Sequence, residues 1–184
     1  MRKITTTQII KYLRSFFMRK KFGYCHHTVR FEKLGKLIGA QYIQIRETSD
    51  IQYGTHLTAW DNYGNIPMIK IGKDCHIGAY NHITSINSIE IGDGFVSGMY
   101  VTITDNSHGY TDKETMDLPV SKRKVVSKGK VFIGDNVWIG DKATILPNVK
   151  IGNGAIIAAN TVVTSDIPAY SVAAGNPAKI VRQN

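Results

Sequence analysis

The chain has 184 residues, 42% apolar and 20% charged, long enough to bury a core as one domain and too apolar to stay disordered. No apolar run approaches the ~20 residues of a membrane span, Lys11 and Arg14 break the N-terminal stretch that a signal peptide needs, and two cysteines, Cys25 and Cys75, are too few for a disulfide framework or a cysteine zinc site. The net charge of +9 sits entirely in residues 1–36, ten Lys and Arg against the single acid Glu32. The expectation is a cytoplasmic chain whose N-terminal segment faces a membrane surface, another polyanion or nucleic acid.

The chain opens on helical spacing. Thr7 can cap a helix that ends by Gly23; Ile9, Ile10, Leu13, Phe16 and Phe17 share one face, with Lys11 and Arg14 opposite. Three readings stand for it: a helix packed on the end of the following domain, a helix lying on an anionic membrane, or a partner-binding helix. His26 and His27 adjoin Cys25, yet no further ligand lies near them in sequence.

A period of six follows. Ile45, Ile51 and Leu57 form a degenerate set, and the turn-rich excursion 60–67 interrupts it. Ile71, Ile77 and Ile83 come next, then Ile91, Ser97 and Ile103. After residues 109–129, which carry no hexad, the series Ile133, Ile139, Ile145, Ile151, Ile157, Val163 runs unbroken. Six does not match the helical 3.6; it matches a short strand plus a turn, with β-branched residues inward and Gly, Asn or Asp at the corners. Three such faces make a triangular solenoid whose coils bury their apolar rows only against one another. A sandwich of evenly spaced strands is the competing fold, but hairpin signals are missing between the hexads. The predicted organisation is a basic helical segment over 1–30, a solenoid of about five coils over 31–170 with a protruding loop at 109–129, and a tail over 171–184.

The tandem Ile-Gly hexads, with the segments Ile89–His108, Val131–Val149 and Thr161–Arg182, resemble the hexapeptide-repeat acyltransferases. Within that family they are most similar to the sugar and polysaccharide O-acetyltransferases of the galactoside and maltose acetyltransferase type, over roughly residues 31–182. The resemblance implies a left-handed parallel β-helix, although right-handed crossovers are the general physical preference. It further implies acetyl-CoA as co-substrate, no metal, a sugar or polysaccharide acceptor, no nucleic acid, and a homotrimer whose long loop covers a site between subunits.

Acyl transfer from a thioester to a hydroxyl needs a base, a donor facing the developing oxyanion, and both substrates held close. His108 stands five residues after Ile103, where hexads give way to the long loop, and it matches the family's catalytic histidine. Imidazole titrates near ~6.5 and takes a proton at neutral pH. Asp105 lies three residues earlier and is a candidate to orient the ring. His56, His76 and His82 fall on coils, where they either line an acceptor cleft or face solvent. Trp138, between the inward positions Val137 and Ile139, should point outward, to meet a sugar, the pantetheine arm or a neighbouring subunit. The family pattern further implies the Asp141 amide as the donor near the thioester carbonyl. It implies Ala159, Thr164, Ser165, Lys179 and Arg182 along coenzyme A, the last two for phosphates.

Two departures from the pattern stand out: Ser165 replaces a frequent lysine, and Gly78 replaces the acceptor-facing asparagine, with Asn81 three residues on and His82 beside it as substitutes. An N-acetyltransferase on an amino sugar would use the same base. A γ-type carbonic anhydrase shares the fold but needs three histidine ligands, and no histidine follows His108. A solenoid scaffold without activity is the remaining alternative.

Overall fold

One β-branched residue at every sixth position sets the architecture. The computed structural model of the chain describes residues 6–61 and 64–183, with no account of the side chains of residues 6–9 and 11. Short parallel strands fall into three sheets. The first stacks 24–25, 43–45, 68–71, 88–91, 131–133 and 150–151. The second stacks 30–31, 50–51, 76–77, 96–97, 138–139, 156–157 and 171–174, with 179–183 added antiparallel at its edge. The third stacks 36–38, 56–59, 82–85, 102–104, 144–145 and 162–163. The chain visits the sheets in rotation, six times in full, where about five turns were expected, and the first turn begins at Tyr24, ahead of the readable hexads. Parallel pairing throughout this body leaves no room for the sandwich.

Inside the triangle the hexad residues form files. Ile45, Ile71, Ile91, Ile133 and Ile151 stack in register, as do Leu57, Ile83, Ile103, Ile145 and Val163. All are buried, each side chain contributing roughly 1.5–3 kcal/mol. Where glycine follows a hexad isoleucine, the next coil's corner sits directly against it: a Cβ on Gly78, after Ile77, would lie 2.0 Å from the Gly98 carbonyl oxygen. Ser97 is the one polar member of its file. Its hydroxyl accepts from the Gly78 amide at 3.0 Å and from Asn81 Nδ2 at 2.5 Å, and Asn81 Oδ1 accepts from the Val101 amide at 2.7 Å. Asn81 is thus buried inside the coil, which corrects its assignment to the acceptor.

The N-terminal helix, Thr6–Arg19, covers the solenoid's open end. Thr7 as cap, and Ile9 and Lys11 on their faces, lie outside the described side chains. The docked side is not the expected apolar one. Ser15 is buried and its hydroxyl accepts from the Phe31 amide at 2.8 Å, while Arg19 Nη1 donates to the Val29 carbonyl at 2.9 Å. Met18 packs on the core and Phe22 stacks on Phe31. The reason is the sheet edge: the first coil has no preceding coil, so its backbone groups need polar partners from the helix. Leu13 and Phe17, on the opposite side, are left 51% and 65% exposed. No helix among the described residues is long and apolar enough to cross a membrane.

The long insertion is a hairpin. Strand 106–108 pairs antiparallel with 125–127, placing His108 opposite Val125. Between them lie a helical turn at Lys113–Met116, capped by Asp112, and a 3-10 turn at Val120–Lys122. Arg123 braces the loop by donating to the Met116 and Leu118 carbonyls. Tyr110, Met116, Leu118 and Val120 remain exposed on this arm.

Candidate functional site

Two concave regions hold His82, His108, Trp138, Asp141 and Ala159 of the singled-out residues. The first is a cleft of about 450 Å³ on the outer side of the third sheet. Parallel register puts Lys36, His56 and His82 in one outward row, on successive strands. The hairpin root brings His108 to the same cleft, and Trp60 and Thr84 complete its wall. Among the described residues the His108 ring has no hydrogen-bond partner, so it is free to meet a hydroxyl. His56 and His82 stack edge-on, 5.7 Å between centroids. Burial first, then His56 and Lys36 beside it, hold His82 below the ordinary imidazole value.

Asp105 does not reach His108. It is fully buried, and its carboxylate accepts from Ser85 Oγ at 2.6 Å, the Ile86 amide at 2.9 Å, the Asn87 amide at 3.0 Å and Asn106 Nδ2 at 3.1 Å. A carboxylate so saturated anchors the corner at 85–87 to the hairpin root. The expectation that Asp105 orients the base's ring is corrected accordingly. His76 lies on the second sheet, 3.6 Å from the Asp50 carboxylate, outside the cleft. His26 and His27 stack on each other, and His26 shares a hydrogen bond with Thr28. Among the described residues no three His, Cys, Asp or Glu side chains converge as a metal site.

The second region is a groove of about 460 Å³ on the second sheet, lined by Trp138, Gly140, Asp141, Ile156 and Ala159. Trp138 points outward, 55% exposed. Along the solenoid corners an Asp or Asn of one coil accepts from the amide of the coil before it. Asp93 does so for Lys73, Asp135 for Asp93, Asn153 for Asp135, and Asp141 for Met99, at 2.8–3.0 Å. The ladder stops at Asp141's own amide, because the next coil has Ala159 in the capping place. Among the described residues nothing accepts from that N–H. Its exposed position at the groove makes it an available donor to an oxyanion.

Arg182 shares a register row with Trp138, through Ile156 and Val172, three strands away. Lys179 pairs with Ala174 on the same added strand. Thr164 and Ser165 lie one corner further, exposed, after strand 162–163. The cleft and the groove share no lining residue. The groove lies on the second sheet and the cleft on the third, two different faces of the triangle.

Sequence reasoning missed Lys36 and Trp60. The row signal that points to Lys36 lies in a coil whose hexads are too degenerate to read, and in the sequence Trp60 is only the edge of the excursion 60–67. Neither thiol offers a nucleophile: burial pushes Cys25 up to about 12 and Cys75 up to about 11.

Two repeat models match the chain, the bacterial transferase hexapeptide over residues 130–165 and the hexapeptide repeat of succinyl-transferase over 68–105. WbbJ of Escherichia coli (strain K12), named as a lipopolysaccharide biosynthesis O-acetyl transferase, is 34% identical over 147 residues, 76% of this chain and 74% of WbbJ. A maltose O-acetyltransferase from Clostridium difficile 630 superposes with a TM-score of 0.59 and 27% identity, covering 92% of this chain and 74% of that one. AntD, an N-acyltransferase from Bacillus cereus crystallised with a dTDP-amino sugar and coenzyme A, superposes with a TM-score of 0.74 at 20% identity, over 93% and 88% of the two chains. That last likeness speaks for the fold. The hexad files, the two repeat models and the extent of the match to WbbJ together lead to one conclusion: this chain is a member of the hexapeptide-repeat acyltransferase family.

Proposed function

We propose that the chain is an acetyl-CoA-dependent O-acetyltransferase acting on a hydroxyl of a sugar or polysaccharide precursor, built as a left-handed β-helix and working as a homotrimer. The observation that carries the reading is the uncapped Asp141 amide beside Trp138. In this reading His108 takes the proton from the acceptor hydroxyl as its oxygen bonds to the thioester carbonyl carbon. The Asp141 N–H donates to the carbonyl oxygen as charge develops there. Collapse breaks the carbon–sulfur bond, and the His108 imidazolium returns the proton to the leaving thiolate. Trp138 packs along the pantetheine arm. Arg182 stands three strand spacings from Trp138, roughly 14 Å, and with Lys179 meets the phosphates; Thr164 and Ser165 serve from the adjoining corner.

Direct transfer requires the base within hydrogen-bond reach of the reacting hydroxyl. The cleft and the groove of one subunit lie on different faces and share no lining residue. A neighbouring subunit's groove facing this cleft completes the site, and the exposed apolar arm around Met116 and Leu118 suits the contact. WbbJ and the maltose enzyme, both named for O-acetyl transfer, support oxygen over nitrogen as the acceptor atom. The test is release of coenzyme A from acetyl-CoA with purified protein, across neutral, acidic and amino sugars. A base-labile ester on the product is expected. No release above background with any of them overturns the reading.

The outward apolar side of the N-terminal helix adds a location. With Leu13 and Phe17 exposed and Arg14 and Lys20 at their flanks, the helix suits an anionic membrane surface, where each basic side chain contributes about 1 kcal/mol. Sedimentation with phosphatidylglycerol-containing vesicles at low salt is expected to carry the protein down. Leu13→Ser with Phe17→Ser should weaken this by about tenfold or more without unfolding, since both side chains are exposed and neither belongs to the core. Wild-type protein that stays in the supernatant ends this proposal.

A further inference from the structure

The acceptor cleft has an uneven charge. Among the described residues Lys36 is the only Lys, Arg, Asp or Glu on its wall. Lys36 Nζ lies 5.2 Å from the centre of the Trp60 ring, and among the described residues no carboxylate pairs with it. Two acids adjoining wall residues of the cleft, Asp61 next to Trp60 and Asp105 next to Asn106, are engaged elsewhere. Asp61 accepts from the Tyr42 hydroxyl at 2.9 Å, and Asp105 is buried beneath its own four donors. His82, which burial first and then His56 and Lys36 hold toward the neutral form, offers one N–H donor to a bound sugar. An unpaired cation braced on an aromatic ring, in a pocket whose other polar groups are imidazoles, hydroxyls and an amide, is built for an anion.

We propose that the acceptor is an acidic sugar, a glycan unit carrying a carboxylate or a phosphate that Lys36 binds while its hydroxyl faces His108. The inference rests on the O-acetyltransferase reading and names its substrate class. The spacing agrees with it. Lys36 and His82 stand two strands apart on one outward row, roughly 10 Å, and the cleft volume of about 450 Å³ accommodates a mono- or disaccharide. Lys36 is then a specificity determinant, and Trp60 is the ring that holds its ammonium in place.

The experiment uses methyl glycosides in matched sets: a neutral hexoside, the corresponding uronoside, its uncharged uronamide, and the hexoside 6-phosphate. Binding to the full chain is measured by calorimetry or saturation-transfer NMR, and turnover by coenzyme A release. The charged members are expected to bind at least tenfold more tightly than the neutral hexoside and the uronamide. Preference for the uronoside over the phosphate, or the reverse, tells which anion is the natural one. Lys36→Met should collapse the charged-to-neutral ratio about tenfold to a hundredfold, through KM and binding, and Lys36→Arg should retain it. Equal binding of charged and neutral sugars by the wild type, or a ratio unmoved in Lys36→Met, overturns the proposal. Tight charged-sugar binding without any acetyl transfer would instead sink the O-acetyltransferase reading and leave the anion site standing.

Discussion

His108→Ala is expected to lower kcat by about 10²–10⁴-fold, the usual worth of a general base, with acetyl-CoA binding largely retained. The ring is exposed, and its strand is held to 125–127 by backbone pairing that the substitution leaves in place. A melting temperature close to that of the wild type is therefore part of the expected result. Binding should survive because Trp138, Asp141 and Ala159 lie in the separate groove. A His108→Ala protein with full kcat removes the proposed base. A protein that loses acetyl-CoA binding instead would mean that the cleft and the groove are arranged differently in the assembly.

Ala159→Asp is expected to cut kcat by about 10²–10³-fold, the scale for loss of one oxyanion donor, at equal or higher thermal stability. The physical reason is the corner ladder. Asp141 Oδ1 accepts from the Met99 amide at 2.8 Å, one coil back. A carboxylate at position 159 would repeat that geometry one coil on and occupy the Asp141 N–H. Most substitutions that abolish activity weaken the fold; this one supplies a missing hydrogen bond and so dissociates the two effects. Unchanged kcat in a well-folded variant would exclude the Asp141 amide as the donor.

The same two variants report on the assembly. Each is inactive for a different half of the site. Co-refolded in equal amounts, they should regain about a quarter of wild-type activity if each site takes His108 from one subunit of a closed ring and the amide from the next. Sites contained within single subunits would regain nothing on mixing.

The hexad period carried the solenoid, the outward Trp138 and the position of His108 at the root of the insertion, because these depend on neighbours within a few residues. Every sixth residue faces inward wherever three short faces repeat, and an insertion must leave from a corner. The fate of polar corner residues was not legible in this way. In sequence Asp105, Asn81 and Asp141 are site candidates alike, yet two are buried structural anchors and the third has an open amide. What separates them is stacking between coils up to 42 residues apart in sequence, where the identity of the residue above decides which backbone groups are satisfied.

The N-terminal helix shows the same division. Its existence was readable from its spacing, but its orientation was set by the unpaired edge of the first coil, whose Phe31 amide and Val29 carbonyl draw Ser15 and Arg19 inward and turn Leu13 and Phe17 out. Lys36 likewise carries no mark in the linear chain. Only the lateral register Lys36–His56–His82, together with the corner that returns Trp60, places a free cation beside the base. Local periodicity is written into the order of residues, whereas the pairing of one coil with the next is a property of the stacked whole.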